Sequence, residues 1–250
     1  MIKFITKTVL LFALCFCANF VRAEELCRRV ENNSFQEGEK LEYLVKWGVI
    51  LVGYATLEIR GITEIKGRRV YHIFSQAHTT AFFDNFFKVR DTNESWVDVE
   101  SLCSWQYEKH LQEGRHKNDQ KINYDQLNHL AYYKENIIPI NPYIQDTLSS
   151  LYWLRTQPLN PGQKLEIDVN TGKKNWPLVV KVDKKTKVDV PAGKFKTIIV
   201  EPFLREEGIF KQKGRMKIWL TDDARKIPVL MSSKVFFGSI TAELATWREK

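Results

Sequence analysis

Lys40-Leu41-Glu42-Tyr43-Leu44-Val45-Lys46-Trp47 decides the architecture. Leu41, Tyr43, Val45 and Trp47 fall on one face of an extended chain, and Lys40, Glu42 and Lys46 on the other. Side chains of a strand alternate between faces, so this pattern puts one face in a core and the other in water, as an antiparallel sheet requires. The same period of two recurs outward along the chain. Cys103, Trp105 and Tyr107 alternate with Ser104, Gln106 and Glu108; Leu165, Ile167 and Val169 with Lys164, Glu166 and Asp168. Met216, Ile218 and Leu220 alternate with Arg215 and Lys217, and Ile240, Ala242 and Leu244 with Ser239, Thr241 and Glu243. Turn residues at Gly61 to Gly67, Pro191-Ala192-Gly193, Thr221-Asp222-Asp223 and Gly238-Ser239 separate such runs. Roughly a dozen strand candidates at the spacing of sandwiches and barrels predict an all-β fold, a bent antiparallel sheet or barrel. The strand-helix rhythm of a parallel sheet is missing.

One segment departs from this pattern. In Asp146-Thr147-Leu148-Ser149-Ser150-Leu151-Tyr152-Trp153-Leu154-Arg155, the leucines sit three apart, Asp146 or Thr147 suits an N-cap and Arg155 suits a C-terminal end. A short helix is expected near 146–156, stopped by Pro158 and preceded by an extended connection at Pro139 and Pro142. A boundary between two strand-rich halves near 140–160 is the alternative. Without a low-complexity linker there, one continuous β-rich domain over 24–250 is the expectation.

The N-terminus predicts export. Lys3 and Lys7 precede an apolar run from Val9 to Phe20, and Val21-Arg22-Ala23 places small residues where a signal peptidase reads. Residues 1–23 read as a signal peptide cleaved after Ala23. The run is shorter than the roughly 20 residues a membrane anchor needs. Bulky Leu14 and Phe16 before Cys15 and Cys17 suit a lipid-attachment site poorly, and Arg28-Arg29 follows the apolar run, unlike a twin-arginine signal. No later stretch has the length of a spanning helix. Of the net charge of +8, three positive charges belong to the leader (Lys3, Lys7, Arg22), leaving +5 on the remainder. That balance suits anionic envelope lipid or polymer, and scattered charge with export argues against nucleic acid. The location expected is the periplasm or the envelope surface. Cys27 and Cys103 remain after cleavage, and an oxidising compartment favours a disulfide between them. It would pin the N-terminal arm, and closing its loop is worth about 4.5 kcal/mol on the chain-entropy account.

Several clusters together resemble a known family. These are Gly38-Glu39-Lys40-Leu41-Glu42-Tyr43 with Trp47-Gly48 and Gly53; Arg90-Asp91 with Glu94-Ser95; Gln145 to Tyr152 with Arg155; and Ile218 to Asp223, Pro228-Val229, Gly238-Ser239-Ile240 and Glu243-Leu244. In this order, over about 35–247, they are similar to the bacterial exported family known as domain of unknown function 3108 (DUF3108). The resemblance implies an envelope protein with a β-rich, barrel-like fold. It carries over no catalytic residue and no cofactor. Cys27 and Cys103 lie outside that pattern.

Chemical motifs are sparse. Gly-x-Ser-x-Gly, Ser-x-x-Lys and His-Glu-x-x-His are all missing. His72/His78 and His110/His116 are six apart, roughly 20 Å on a strand, too far to share a metal. Asp222-Asp223 reads as a hairpin turn, with an acid-base or cation site as the alternative. Arg90, beside Asp91, is a candidate to pair with Asp146 and lock the helix, or to read a ligand carboxylate or phosphate. The aromatics are the strongest positive signal. Phe82, Phe83, Phe86 and Phe87 crowd six residues, Tyr152 and Trp153 lie on the helix, and Trp219 and Phe236-Phe237 come late. A strand cannot turn all four clustered phenylalanines inward, so one set is exposed or lines a cavity. Three functions follow. The first is a non-enzymatic envelope protein binding a lipid or other hydrophobic molecule, with the phenylalanine cluster as lining and the helix as lid. The second is an envelope scaffold with a packed core and a protein partner. The third is a hydrolase of envelope polymers using Asp222 and Asp223.

Overall fold

The computed structural model describes residues 26, 28–204, 216–235 and 238–249; the expected leader, Cys27 and Phe236-Phe237 lie outside them. Fourteen strands among these residues form one antiparallel sheet: β1 (Lys40–Trp47), β2 (Ile50–Ile65), β3 (Arg68–Thr79), β4 (Arg90–Asp98), β5 (Ser104–Glu113), β6 (His116–Asp125), β7 (Leu130–Tyr133), β8 (Asn136–Pro139), β9 (Lys164–Asn170), β10 (Asn175–Val190), β11 (Gly193–Leu204), β12 (Met216–Thr221), β13 (Pro228–Lys234) and β14 (Ser239–Arg248). Two helices interrupt them, α1 (Ala81–Asp84) and α2 (Thr147–Thr156). The order is β8-β7-β6-β5-β4-β3-β2-β1-β14-β13-β12-β11-β10-β9. Each strand therefore pairs with its sequence neighbour, except that β1 also pairs with β14, closing the chain's two ends together. β8 and β9, which α2 separates in sequence, are the two edges of the sheet.

Side-chain bonds bring these edges near each other. Asn175 Nδ2 donates to the Pro139 carbonyl at 2.6 Å, and the Tyr124 hydroxyl to the Asn170 carbonyl at 3.3 Å. The backbone just before α2 completes the closure: Ser104 N donates to Ile144 O at 3.1 Å, while Gln145 N donates to Asp168 O and its carbonyl accepts from Asn170 N, each at 2.9 Å. One residue pair thus sews β5 to β9 and satisfies an edge that would otherwise present unpaired groups.

The alternation read from sequence holds where the sheet surrounds the core. Leu41, Tyr43, Cys103, Trp105, Tyr107, Ile167, Val169, Ile218, Leu220 and Leu244 are buried. It fails at Trp47, which is 44 % exposed, because β1 leaves the core at its C-terminal end after a register shift at Val45/Lys46. Gly61 does not lie in a turn: β2 runs through it, with a register shift between Ile59 and Gly61, and Lys66-Gly67 makes the turn. The core has two parts. The larger, around Leu41, Ile73, Ile122 and Tyr152, lies under β1–β8, β13 and β14 with Val190 from the end of β10; the smaller gathers Ile167, Val180, Ile198 and Leu220 from β9–β12. α2 wedges between them, giving Leu148 and Tyr152 to the first and Leu154 to the second.

Candidate functional site

The aromatic segment is not a strand. Thr80 accepts from Phe83 N at 3.4 Å and caps the single turn of α1, so Phe82, Phe83, Phe86 and Phe87 cluster around a helical turn between β3 and β4. Phe82 contacts Phe83 and Phe86, with ring centroids 5.2 and 5.4 Å apart. The cluster faces outward: Phe82, Phe86 and Phe87 are 65, 73 and 56 % exposed. These side chains line no interior, because the β3–β4 connection projects from the end of the sheet. Arg90 braces this turn. Its Nη1 donates to Asp84 Oδ1 at 2.9 Å and its Nη2 to Oδ2, and Thr79 donates to the same carboxylate. Arg90 and then Thr79 hold the Asp84 carboxyl below its ordinary range. The expected Arg90–Asp146 pair does not form, since α1 lies at one end of the strands and α2 is threaded inside. Neighbouring Asp91 accepts from Gln112 N at 3.0 Å, and burial raises its pKa.

Neighbouring hairpins extend the apolar surface. Thr80 N donates to Val52 O at 2.9 Å, seating α1 beside the β1–β2 turn, where Val49, Ile50 and Leu51 are exposed. On the other flank, a Cβ on Gly114 would come 2.9 Å from the Phe87 ring, so glycine there (φ 59°) lets the β5–β6 turn close against it. Beyond β1, the β13–β14 turn exposes Val235, and its Gly238 approaches Trp47. Most of the large hydrophobic side chains that stand exposed among the described residues lie in these turns or the strand ends flanking them; Tyr132 and Ile137 belong instead to the β7–β8 edge hairpin and Met216 to the start of β12. The run Trp47-Gly48-Val49-Ile50-Leu51, apolar across a turn, was the sequence signal for it.

The other predicted residues fall inside. Tyr152 is fully buried on α2 and edge-on to Phe35 at 5.0 Å. Trp153 and Trp219 are half-buried packing residues. Asp146 caps α2, accepting from Leu148 N and Ser149 N at 2.7 and 2.8 Å and from the Ser95 and Ser104 hydroxyls. Burial raises its pKa despite those four donors. α2 is therefore core, not a lid. Its last turn holds the ion pair that sequence reading missed: Arg155 donates to both Glu39 oxygens at 2.7 Å, and to the carbonyls of Ser34 and Arg225. Burial would lower its pKa, but Glu39 outweighs that and raises it.

Asp222 and Asp223 do not form an acid pair. Asp223 caps its turn, accepting from Thr221 Oγ1 at 2.7 Å and Arg225 N at 3.1 Å, while Asp222 pairs with Lys185 at 2.9 Å. His72 bonds Glu94 and His110 bonds Asp119. Among the described residues no group of three or more His, Cys, Asp or Glu side chains is placed to hold a metal, and no helix is long and apolar enough to cross a membrane. Cys103 is a free, buried thiol whose pKa burial pushes up to about 12.

A strand-built, barrel-like protein with an aromatic rim is the class these features define. The sequence matches the profile described as Protein of unknown function (DUF3108) over residues 42–245, and the chain belongs to that family. Its fold is similar to the crystal structure of a β-barrel-like protein of domain of unknown function DUF1849 from Brucella abortus (TM-score 0.56, 9 % identity, covering 89 % of this chain and 99 % of that one). Weaker likenesses are to a candidate lipoprotein from Parabacteroides distasonis (TM-score 0.39, 8 % identity, 88 % and 99 % covered) and a candidate exported protein with a YmcC-like fold from Bacteroides fragilis (TM-score 0.32, 14 % identity, 89 % and 100 % covered). No curated protein matched the sequence.

Proposed function

We propose that this is an exported, non-enzymatic protein of the bacterial envelope that binds a hydrophobic or amphipathic molecule, and that the exposed aromatic end is where it binds. The observation that carries the reading is the gathering of exposed Trp47, Val49, Ile50, Phe82, Phe86 and Phe87 on adjoining turns. Contiguous apolar surface of this kind costs solubility and marks interaction sites. The binding element moves from the interior, where sequence alone put it, to the rim. The hydrolase reading loses its residues, because the Asp223 carboxylate is taken up by its own turn and Asp222 by Lys185.

Native mass spectrometry of the protein purified from its own envelope tests the reading, with a lysophospholipid added below its micellar concentration. The expected result is a bound amphiphile that Phe82→Ser/Phe86→Ser removes. A clean mass in both forms would reject ligand binding and favour the scaffold reading, in which the rim meets another protein.

A further inference from the structure

The aromatic end carries charge as well as apolar surface. Four turns stand side by side there, in the order set by the sheet: β5–β6, β3–β4, β1–β2 and β13–β14. Two ion pairs, Lys46–Glu243 and Arg90–Asp84, are internally neutralised. Beyond them, these turns and their immediate flanks carry exposed Lys88, Arg115, Lys117 and Lys234 against one carboxylate, Glu113. The apolar residues come from separate hairpins. Val49, Phe82 and Phe86 are the most exposed, while Trp47 and Tyr54 stand further back at 44 and 41 %. Aliphatic and phenyl groups at the tip, indole and phenol rings behind and a cationic collar around them follow the order of a bilayer interface, where Trp and Tyr sit at headgroup level and Lys and Arg meet anionic headgroups.

We infer that this end docks on the surface of an anionic lipid bilayer, the tip side chains entering between headgroups while Lys88, Arg115, Lys117 and Lys234 contact phosphates. The inference rests on the function proposed above and names its partner. A protein partner of matching shape would account for the apolar tip, but charge complementarity favours the membrane: one surplus sign surrounds the patch, as a uniformly anionic plane requires. The docked protein lies on the membrane by interfacial insertion of loops, and no segment need span.

Sedimentation of the protein with phosphatidylethanolamine vesicles, with and without phosphatidylglycerol, is the test. The wild type is expected to bind the anionic vesicles, release on added salt, and bind zwitterionic vesicles weakly. Lys88→Gln and Arg115→Gln each weaken binding about fivefold. Val49→Asp/Phe86→Asp abolishes it with an unchanged thermal transition. If wild type fails to bind vesicles yet holds a lysophospholipid through the phenylalanines, the bilayer inference falls and the ligand reading stands. If vesicle binding survives Val49→Asp/Phe86→Asp, another part of the chain binds the bilayer and the inference falls, while the lysophospholipid assay decides the ligand reading by itself. Capture of a single protein by the rim, without vesicle binding, overturns the inference for a protein interface.

Discussion

α1 and α2 are both short helical departures from an otherwise all-strand chain, both are rich in aromatic and apolar residues, and both are capped at their first turn. They use those residues in opposite ways. α2 buries Leu148, Ser149, Ser150, Tyr152, Leu154 and Arg155, whereas α1 buries none of its residues. The difference lies in what each connects. α1 joins two adjacent strands of a hairpin, so it needs only to reverse the chain and is left at the sheet's end. α2 joins the two edges of the sheet, and the shortest route between edges that face each other runs through the interior. Burial forces polar compensation on α2, hence Asp146 with its four donors and Arg155 with Glu39. α1 leaves its phenylalanines to water and is held instead by the half-buried Arg90–Asp84 brace.

The widest gap between the helices should appear on breaking the buried pair. Arg155 and Glu39 are each 1 % exposed at the side chain, and removing one partner strands the other charge without water. Arg155→Ala is expected to cost about 3–5 kcal/mol in urea denaturation. Arg155→Met/Glu39→Leu should recover much of that, because apolar replacement of both partners leaves no lone charge. If Arg155→Ala proved no worse than a surface change, α2 would be as dispensable to stability as α1, and the contrast would fail.

Gly53 tests the seat of α1. A Cβ there would lie 2.3 Å from the His78 carbonyl oxygen, so β2 and β3 pass too close for any side chain just before Val52 receives the Thr80 N–H. Gly53→Ala is expected to destabilise by about 1–3 kcal/mol in the same assay, and to weaken rim binding by shifting α1.

Two buried aspartates give pH tests of opposite sign. Asp98 accepts from Arg68, Ser101 N, Glu100 N and Trp105; burial alone would raise its pKa, but those bonds, led by Arg68, lower it below 3.8. Its stabilisation is present above the unfolded value and lost as pH falls through the folded one, so Asp98→Asn should close on the wild type in acid. Asp146 is raised, burial outweighing its donors. Its contribution is full below the unfolded value and lost as pH rises through the folded one, so the stability difference should shift toward Asp146→Asn as pH climbs from acid to neutral. Parallel denaturation series would show the two differences moving in opposite directions.

How far the sequence revealed this follows from range. The strands were legible because alternation is local, and α2 because Asp146, the leucine spacing and Pro158 are local signals. Local signals do not say which connection crosses the interior. Arg155 therefore read as a helix-end charge, although Glu39, its partner, is 116 residues away and belongs to the same set of clusters that marked the family. The phenylalanines of 82–87 were visible as unusual, but their direction depends on Thr80 ending β3 and starting a helical turn. The rim gathers 48–49, 80–89, 114–115 and residues 235 and 238, which only sheet order brings together. The proposed Cys27–Cys103 bridge stands as a sequence expectation. Cys103 is a free, buried thiol and Cys27 lies outside the described residues; the nearest anchor is Arg28, which donates to Ser101 O at 2.9 Å. A mass two daltons below that of the reduced protein would establish the bridge, and alkylation of both thiols after unfolding without reductant would exclude it.

The smallest stability effect belongs to the rim and is the sharpest test of the contrast. Phe82 and Phe86 touch each other and Phe83, so some packing is lost when they are truncated. They remain mostly in water, so replacing them with serine removes little buried area, and surface changes of this kind stay within about 0.5 kcal/mol. Phe86→Ser should therefore leave the urea midpoint near that of the wild type while lowering affinity for an amphiphile. A loss above about 1.5 kcal/mol, with binding intact, would mean that the phenylalanines hold α1 together as a small core of their own. Stability and binding then separate by region: a binding loss without a stability loss requires the side chain to face the partner, and α2, which faces none, cannot produce it.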